Sequence, residues 1–241
     1  MMFALLLAVA ITGVPPPQAS AHAPASDAAA GRTPYLQRCA ACHGVDLHGG
    51  PNAPSLVGVG AARVDFWVST GRMPAAVPWI EAGHHTSQLP QSEIDAIVAY
   101  VASVSPGGPP IPSVVANGDA NRGRILFQEN CMHCHGVNAE GASIGGRSWA
   151  PPLDRAPVTQ IAEAIRTGPD EMPMFGEQQL GQRDLTDIVT YLSNRRAAAH
   201  FTGLPFHSGG PVPEGLLGWI AAGVLALAAY AFSPGSRKGK Q

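Results

Sequence analysis

All four cysteines of the chain lie in two short motifs that end in histidine, Cys39–His43 (CAACH) and Cys131–His135 (CMHCH). Cys-x-x-Cys-His is the attachment signature of c-type haem. Thiols three positions apart lie on one face of a helix, where they can add to both vinyl groups of one porphyrin. The adjacent histidine then takes the proximal position on the iron. The motifs therefore predict two covalently bound haem c groups, attached through Cys39, Cys42, Cys131 and Cys134 and ligated by His43 and His135.

Paired cysteines also occur in two other kinds of site. A four-cysteine zinc site would use the same side chains, and thioredoxin-like redox pairs would explain each Cys-x-x-Cys separately. Zinc does not require a histidine directly after each pair, and neither region has the βαβ pattern of a thioredoxin. Haem is therefore the preferred interpretation, and zinc is the main alternative.

The middle of the chain is an internal repeat of one unit. Its two copies match at the attachment motif, at a Thr-Gly pair, at a Met-Pro pair, and at Ala53–Leu56 with Ala150–Leu153. Each copy ends with apolar residues at i, i+3, i+4 and i+7, the spacing of an amphipathic helix, and the intervening segments show no strand alternation. The repeat predicts two all-α domains, at 28–105 and 119–197, joined by a Pro- and Gly-rich linker at 106–118.

The matched Met-Pro pairs supply candidates for the second axial ligand. Met73 is the methionine open to the first haem, because Met132 lies inside an attachment motif. Met172 and Met174 compete for the second haem, and the repeat favours Met172 because it precedes a proline, as Met73 does. Ligation by histidine and methionine raises the reduction potential relative to a pair of histidines.

Each copy also offers residues that could line a haem pocket. The carbonyl oxygens of Pro54 and Pro151 can accept the free N–H of the proximal histidines and fix their orientation; the alternative is that both are ordinary loop prolines. Leu56 and Leu153 are expected to pack on the porphyrins. With both irons closed by His and Met, neither haem has an open position for a substrate. We therefore expect transfer of single electrons and no substrate chemistry of the chain's own.

The composition excludes several classes of protein. The 241 residues are 45% hydrophobic and only 13% charged, with 28 Gly and 23 Pro spread throughout, which argues against a disordered chain or a coiled coil. The formal net charge of −2 gives no reason to expect a nucleic-acid partner.

An apolar segment lies near each end of the chain. Residues 1–23 indicate a secretory signal or an N-terminal hydrophobic segment, although no basic residue precedes the apolar run. Residues 215–233, connected to the second domain by a linker at 198–214, predict a single C-terminal transmembrane helix. The basic tail at 234–241 would then be cytoplasmic, with both haem domains on the extracytoplasmic side of the cell membrane.

In these features the chain resembles the dihaem cytochrome c subunit of the actinobacterial cytochrome bcc complex, a menaquinol–cytochrome c reductase. The resemblance rests on the order of the two attachment motifs, the C-terminal helix, and the runs Val68–Pro74, Thr167–Pro169 with Met172-Pro173, and Pro211–Gly215. It implies two class I cytochrome c-like domains in tandem. It also implies that electrons from a Rieske iron–sulfur protein pass through both haems to the copper site of a cytochrome c oxidase in the same supercomplex, beside a cytochrome b subunit.

Two alternative functions remain. A membrane-anchored dihaem carrier could instead serve a dehydrogenase, which the haem domains alone do not exclude. A dihaem peroxidase would need an open iron site, against which Met73 and Met172 argue.

Overall fold

The chain divides into two compact units, with the boundary between Gly108 and Pro109. A computed structural model describes residues 28–75, 85–146, 148–201 and 211–232. The segment 1–23, part of the second linker and the basic tail 234–241 lie outside the described residues.

The described part of the first unit contains four helices: α1 (Ala28–Arg38), α2 (Ala40–His43), α3 (Ala61–Ser69) and α4 (Gln91–Val104). Helix α1 crosses α4 at Gly31, where a Cβ atom would lie 1.9 Å from the carbonyl oxygen of Ala96. One turn later the rings of Tyr35 and Tyr100 meet at 5.3 Å between centroids. Glycine therefore allows the backbones of the first and last helices to come together, and the aromatic pair fills the space beside the crossing.

The second unit repeats this arrangement in α5 (Ala120–Asn130), α6 (Met132–His135), α7 (Val158–Thr167) and α8 (Gln182–Phe201). At Gly123 a Cβ atom would lie 1.9 Å from the carbonyl oxygen of Asp187, and the rings of Phe127 and Tyr191 are 5.6 Å apart. The Asp119 side chain caps the N-terminus of α5 by accepting from two backbone N–H groups. The two units thus share the same glycine-dependent crossing of two helices, α1 with α4 and α5 with α8.

The prediction of an all-α fold is wrong in the second unit, which contains a small antiparallel sheet. Strands β1 (Ala142–Gly145) and β2 (Ser148–Ala150) pair with a register irregularity between Ser143 and Gly145. The corresponding segment of the first unit is shorter and makes only an isolated bridge between Gly50 and Ala53. The extra residues of the second copy, with positive φ angles at Gly145 and Gly146, are enough to form a hairpin.

The prediction of a C-terminal transmembrane helix is also wrong for the described part of the chain. Helix α9 (Pro211–Phe232) forms there, but no helix among the described residues is both long and apolar enough to cross a membrane. The first turn of α9 carries two prolines and a glutamate. The uncharged remainder, Leu216–Phe232, rises about 26 Å, less than a hydrocarbon core of about 30 Å.

Hydrogen bonds hold the residue just before the predicted linker at 106–118 and the later part of the linker itself. In the first unit, the backbone N–H of Gly58 donates to Ser105 Oγ at 2.8 Å, just before the linker begins. In the second unit, the N–H of Gly118 donates to Thr190 Oγ1 at 2.8 Å, and Gln182 Nε2 donates to the carbonyl of Ser113 at 2.8 Å. The later part of the linker is therefore hydrogen-bonded to α8.

Candidate haem-binding sites

Each attachment motif forms one short turn of helix after a longer helix ends. The backbone N–H of His43 donates to the carbonyl of Cys39, and that of His135 to the carbonyl of Cys131, both at 2.9 Å. Gly44 and Gly136 follow with φ near 80°, where a side chain would be strained, and end the turn. The sequence thus sets the two thiols and the histidine of each motif on a single turn.

The two thiols of each motif differ in exposure. Cys42 and Cys134 are exposed, whereas Cys39 is half-buried and Cys131 buried. Burial raises the pKa of the Cys39 and Cys131 thiols to about 11 in each case. At neutral pH these two side chains therefore keep their S–H, the form in which a thiol would add to a vinyl group of a bound haem.

The two predicted proximal histidines each contact a proline carbonyl. His43 Nδ1 lies 2.8 Å from the carbonyl oxygen of Pro54, and His135 Nδ1 lies 2.9 Å from that of Pro151. A carbonyl oxygen can only accept, so Nδ1 carries the hydrogen in both rings. The lone pair of Nε2 is then free to bind iron. These are the prolines that the sequence analysis selected.

A backbone loop brings each proline to its histidine. The N–H of Gly49 donates to the His43 carbonyl and the N–H of Gly141 to the His135 carbonyl, both at 2.8 Å. A Cβ atom at Gly49 would lie 2.7 Å from the carbonyl carbon of Pro54, and one at Gly141 would lie 2.9 Å from that of Pro151. Glycine is therefore required where the loop folds back on itself. The repeat contains both glycines at matching positions, but the sequence analysis missed them.

Two buried residues with positive φ complete the loop, and no pattern in the sequence identifies them. Leu47 and Ala139 have φ angles of 69° and 57°. Their carbonyl oxygens accept from the N–H of Leu56 at 2.7 Å and of Leu153 at 2.9 Å. Both leucines are half-buried, and Leu153 packs against the core of its unit. The backbone strain at Leu47 and Ala139 fixes where the two predicted pocket leucines lie.

The environment of His135 is suited to ligating a metal. The residue is 8% exposed, and this burial lowers its pKa, opposed by the hydrogen bond to the Pro151 carbonyl. A histidine that stays neutral keeps its Nε2 lone pair over a wider pH range. In the first unit the hydroxyl of Tyr35 donates to the carbonyl of Gly44 at 2.7 Å, directly after His43.

The three candidate methionines lie in different surroundings. Met73 is half-buried, and its N–H donates to the Trp67 carbonyl at 2.9 Å. Met172 is partly buried against the core of the second unit, whereas Met174 is 59% exposed. Ligation by Met73 and Met172 stays a prediction, and the contrast in burial agrees with the choice of Met172 over Met174.

The donor set of each unit fits a c-type haem. Both units combine two thiols, an imidazole with a free Nε2, and a glycine where a Cβ atom would obstruct the loop that orients this imidazole. The zinc alternative requires several converging ligands, and no group of three or more His, Cys, Asp or Glu side chains suited to a metal occurs in the described ranges.

Comparison with known proteins agrees with this assignment. Residues 28–105 match the family model described as cytochrome c, and residues 118–192 match the one described as cytochrome c oxidase, cbb3-type, subunit III. The cytochrome bc1 complex cytochrome c subunit of Mycobacterium bovis is 36% identical over 92% of this chain and 86% of its own length. The protein of the same name from Corynebacterium diphtheriae is 32% identical, over 86% and 80% respectively.

A more distant relative is the Cbb3-type cytochrome c oxidase subunit CcoP of Azospirillum brasilense, which is 25% identical over 78% of this chain and 69% of its own length. The identity to the mycobacterial and corynebacterial proteins extends over most of both sequences and confirms the resemblance stated above. Cytochrome c domains carry covalently bound haem c, as both attachment motifs indicate. The chain belongs to the family of the cytochrome c subunits of the cytochrome bc1 complex.

Proposed function

We propose that this chain is the dihaem electron-transfer subunit of a menaquinol–cytochrome c reductase. It would pass single electrons from the Rieske iron–sulfur protein to the copper site of a cytochrome c oxidase in a respiratory supercomplex. The observation that carries the proposal is the duplicated histidine geometry, in which His43 and His135 each use Nδ1 on a proline carbonyl and keep Nε2 for iron.

In each site, one set of residues would attach the haem and another would ligate its iron. The cysteines would hold the two haem c groups covalently, and His43 with Met73 and His135 with Met172 would close the iron positions. A haem bound in this way supplies reversible one-electron transfer. Because no iron position would be left open, the chain itself performs no substrate chemistry, and this disfavours the peroxidase alternative.

The names of the relatives support the choice of partners. The mycobacterial and corynebacterial proteins are named as subunits of a cytochrome bc1 complex, and we propose that this chain likewise assembles with a cytochrome b subunit and a Rieske subunit. We further propose that its haem domains lie on the extracytoplasmic side of the cell membrane, as the signal-like segment at 1–23 indicates.

Purification through an affinity tag on this chain, in mild detergent, tests the proposal. Cytochrome b, the Rieske protein and oxidase subunits are expected to copurify, and a menaquinol analogue should reduce both haems of the preparation. Cells that carry the untagged chain serve as the control.

Different companions would contradict the proposal in distinguishable ways. A dehydrogenase in place of cytochrome b would assign the chain to the alternative carrier. Copurification of the catalytic subunit of a cbb3-type oxidase, without cytochrome b or Rieske protein, would instead assign the chain to such an oxidase, in line with the family model that residues 118–192 match.

A further inference from the structure

The segment that carries Met172 is a loop of residues 168–181, here called the Met172 loop. It begins at Gly168, which ends α7 in a left-handed conformation, and it ends where α8 starts. The N–H of Met172 donates to the Pro169 carbonyl at 2.9 Å, and the N–H of Phe175 donates to the Ile165 carbonyl at 2.8 Å. The loop is thus tied to α7 through its backbone.

A buried arginine of α7 binds the far side of this loop. Arg166 Nη1 lies 3.0 Å from the carbonyl oxygen of Phe175 and 2.6 Å from that of Leu180. Arg166 is only 7% exposed, and burial lowers its pKa, opposed by the nearby charges of Glu177 and Asp184. Burial of a guanidinium is costly unless its hydrogen bonds repay the cost, and both of these bonds go to backbone carbonyls of the loop.

We propose that Arg166 is a positioning residue that fixes the Met172 loop, so that Met172 stays bound as the second axial ligand of the haem in the second unit. Through its two bonds the arginine fixes the end of the loop that follows Met172, while Pro169 and Gly168 fix the end that precedes it. The inference rests on the proposed haem ligation and adds a residue that nothing in the attachment motif or the repeat identifies.

The first unit provides an internal reference. Ser69-Thr70-Gly71 corresponds to Arg166-Thr167-Gly168, so a serine occupies the position of the arginine there. Thr70 and Thr167 make the same bond, from Oγ1 to the carbonyl four residues earlier, at 2.5 and 2.8 Å. The two haems of one molecule can therefore be compared, since an arginine occupies this position in only one of the two units.

The test is titration of the oxidised, haem-loaded full chain with imidazole, which competes with methionine for iron. In Arg166→Gln, one of the two haems should bind imidazole about tenfold more tightly than in the wild type, because two bonds from a charged donor no longer hold the loop closed. The other haem should keep its wild-type affinity. Arg166→Lys, which keeps the charge and one possible bond, should fall between the two.

Ile188→Val is the matched control, because it removes one methylene from a fully buried, apolar side chain of α8 that cannot hydrogen-bond to the loop. If it raises the imidazole affinity as much as Arg166→Gln does, the effect is general destabilisation and the inference is overturned. An unchanged imidazole affinity at both haems in Arg166→Gln would also overturn the inference. If Arg166→Gln does not accumulate, an unchanged imidazole affinity in Arg166→Lys would overturn it instead. A wild-type protein without the near-infrared band of thioether ligation would refute the proposed ligation, and this inference with it.

Discussion

Met172 and Met174 are separated by a single proline, yet their side chains lie in different environments. Met172 packs against the apolar core of the second unit, whereas Met174 is largely exposed to solvent. Gly168, whose Cβ atom would lie 2.8 Å from the Met172 carbonyl, allows the loop to turn closely beside α7. Because a ligand must be held in place by its surroundings, the partly buried methionine is the better candidate.

We predict that Met172→Leu removes about half of the near-infrared thioether band of the oxidised protein, since one of two methionine-ligated haems would lose its ligand. Met174→Leu should leave the band at its wild-type amplitude and serves as the paired control. The measurement is an absorbance spectrum normalised to haem content. The opposite outcome for the two variants would assign Met174 as the ligand.

At the scale of the elements, each unit depends on one close crossing of two helices, α1 with α4 and α5 with α8. Gly31 allows α1 to contact α4, and Gly123 allows α5 to contact α8. In the second unit, Arg122 adds ion pairs to Asp184 and to the buried Asp187 on α8. The crossing packs the helix that leads into the attachment motif against α4 or α8, so the position of the motif depends on it.

Gly123→Ala should destabilise the second unit by about 1–3 kcal/mol or more, because the new methyl group would meet the Asp187 carbonyl at 1.9 Å and force α5 away from α8. Urea unfolding followed by haem absorbance measures the change. Gly176→Ala is the control: its Cβ atom would meet nothing within 4 Å, so only a change within about 0.5 kcal/mol is expected. Equal stability of the two variants would contradict the importance of the crossing.

The pattern of helices could be predicted from the sequence, but the loops beside the histidines could not. Ile94, Ile97, Val98 and Val101 lie at helical spacing and are all buried, as their period predicts. The hairpin was missed because strands of four and three residues are too short to show an alternating pattern. Leu47 was missed because positive φ is rare for leucine, and only the surrounding loop imposes it.

At the scale of the whole molecule, the chain consists of two units that each close around their own core. The core of the second unit includes Val114 and Phe127 together with residues of α7 and α8, all drawn from its own stretch of sequence. Each attachment motif also lies within the unit whose proline carbonyl orients its histidine. The cysteines, the histidine and the proline carbonyl of each candidate site thus all come from one unit.

Replacing both Cys39 and Cys42 by alanine should therefore halve the covalent haem per chain while the second unit keeps its haem. Mass spectrometry of the denatured protein gives the number of haems attached: two are expected in the wild type and one in the double variant. The equivalent change at Cys131 and Cys134 provides the reciprocal control. Loss of both haems from either variant would show that the two units do not fold independently.

The atom that orients each proximal histidine belongs to the main chain, not to a side chain. Pro54 and Pro151 are themselves exposed, and what they contribute is a carbonyl oxygen that every amino acid possesses. Point mutation at these positions changes the side chain but leaves the acceptor, provided that the loop keeps its path. The glycines at 49 and 141 control that path, because any larger residue there would collide with the proline segment. Substitutions should therefore be tolerated at Pro54 and Pro151, which contact the histidine side chains. They should be harmful at Gly49 and Gly141, which do not contact those side chains.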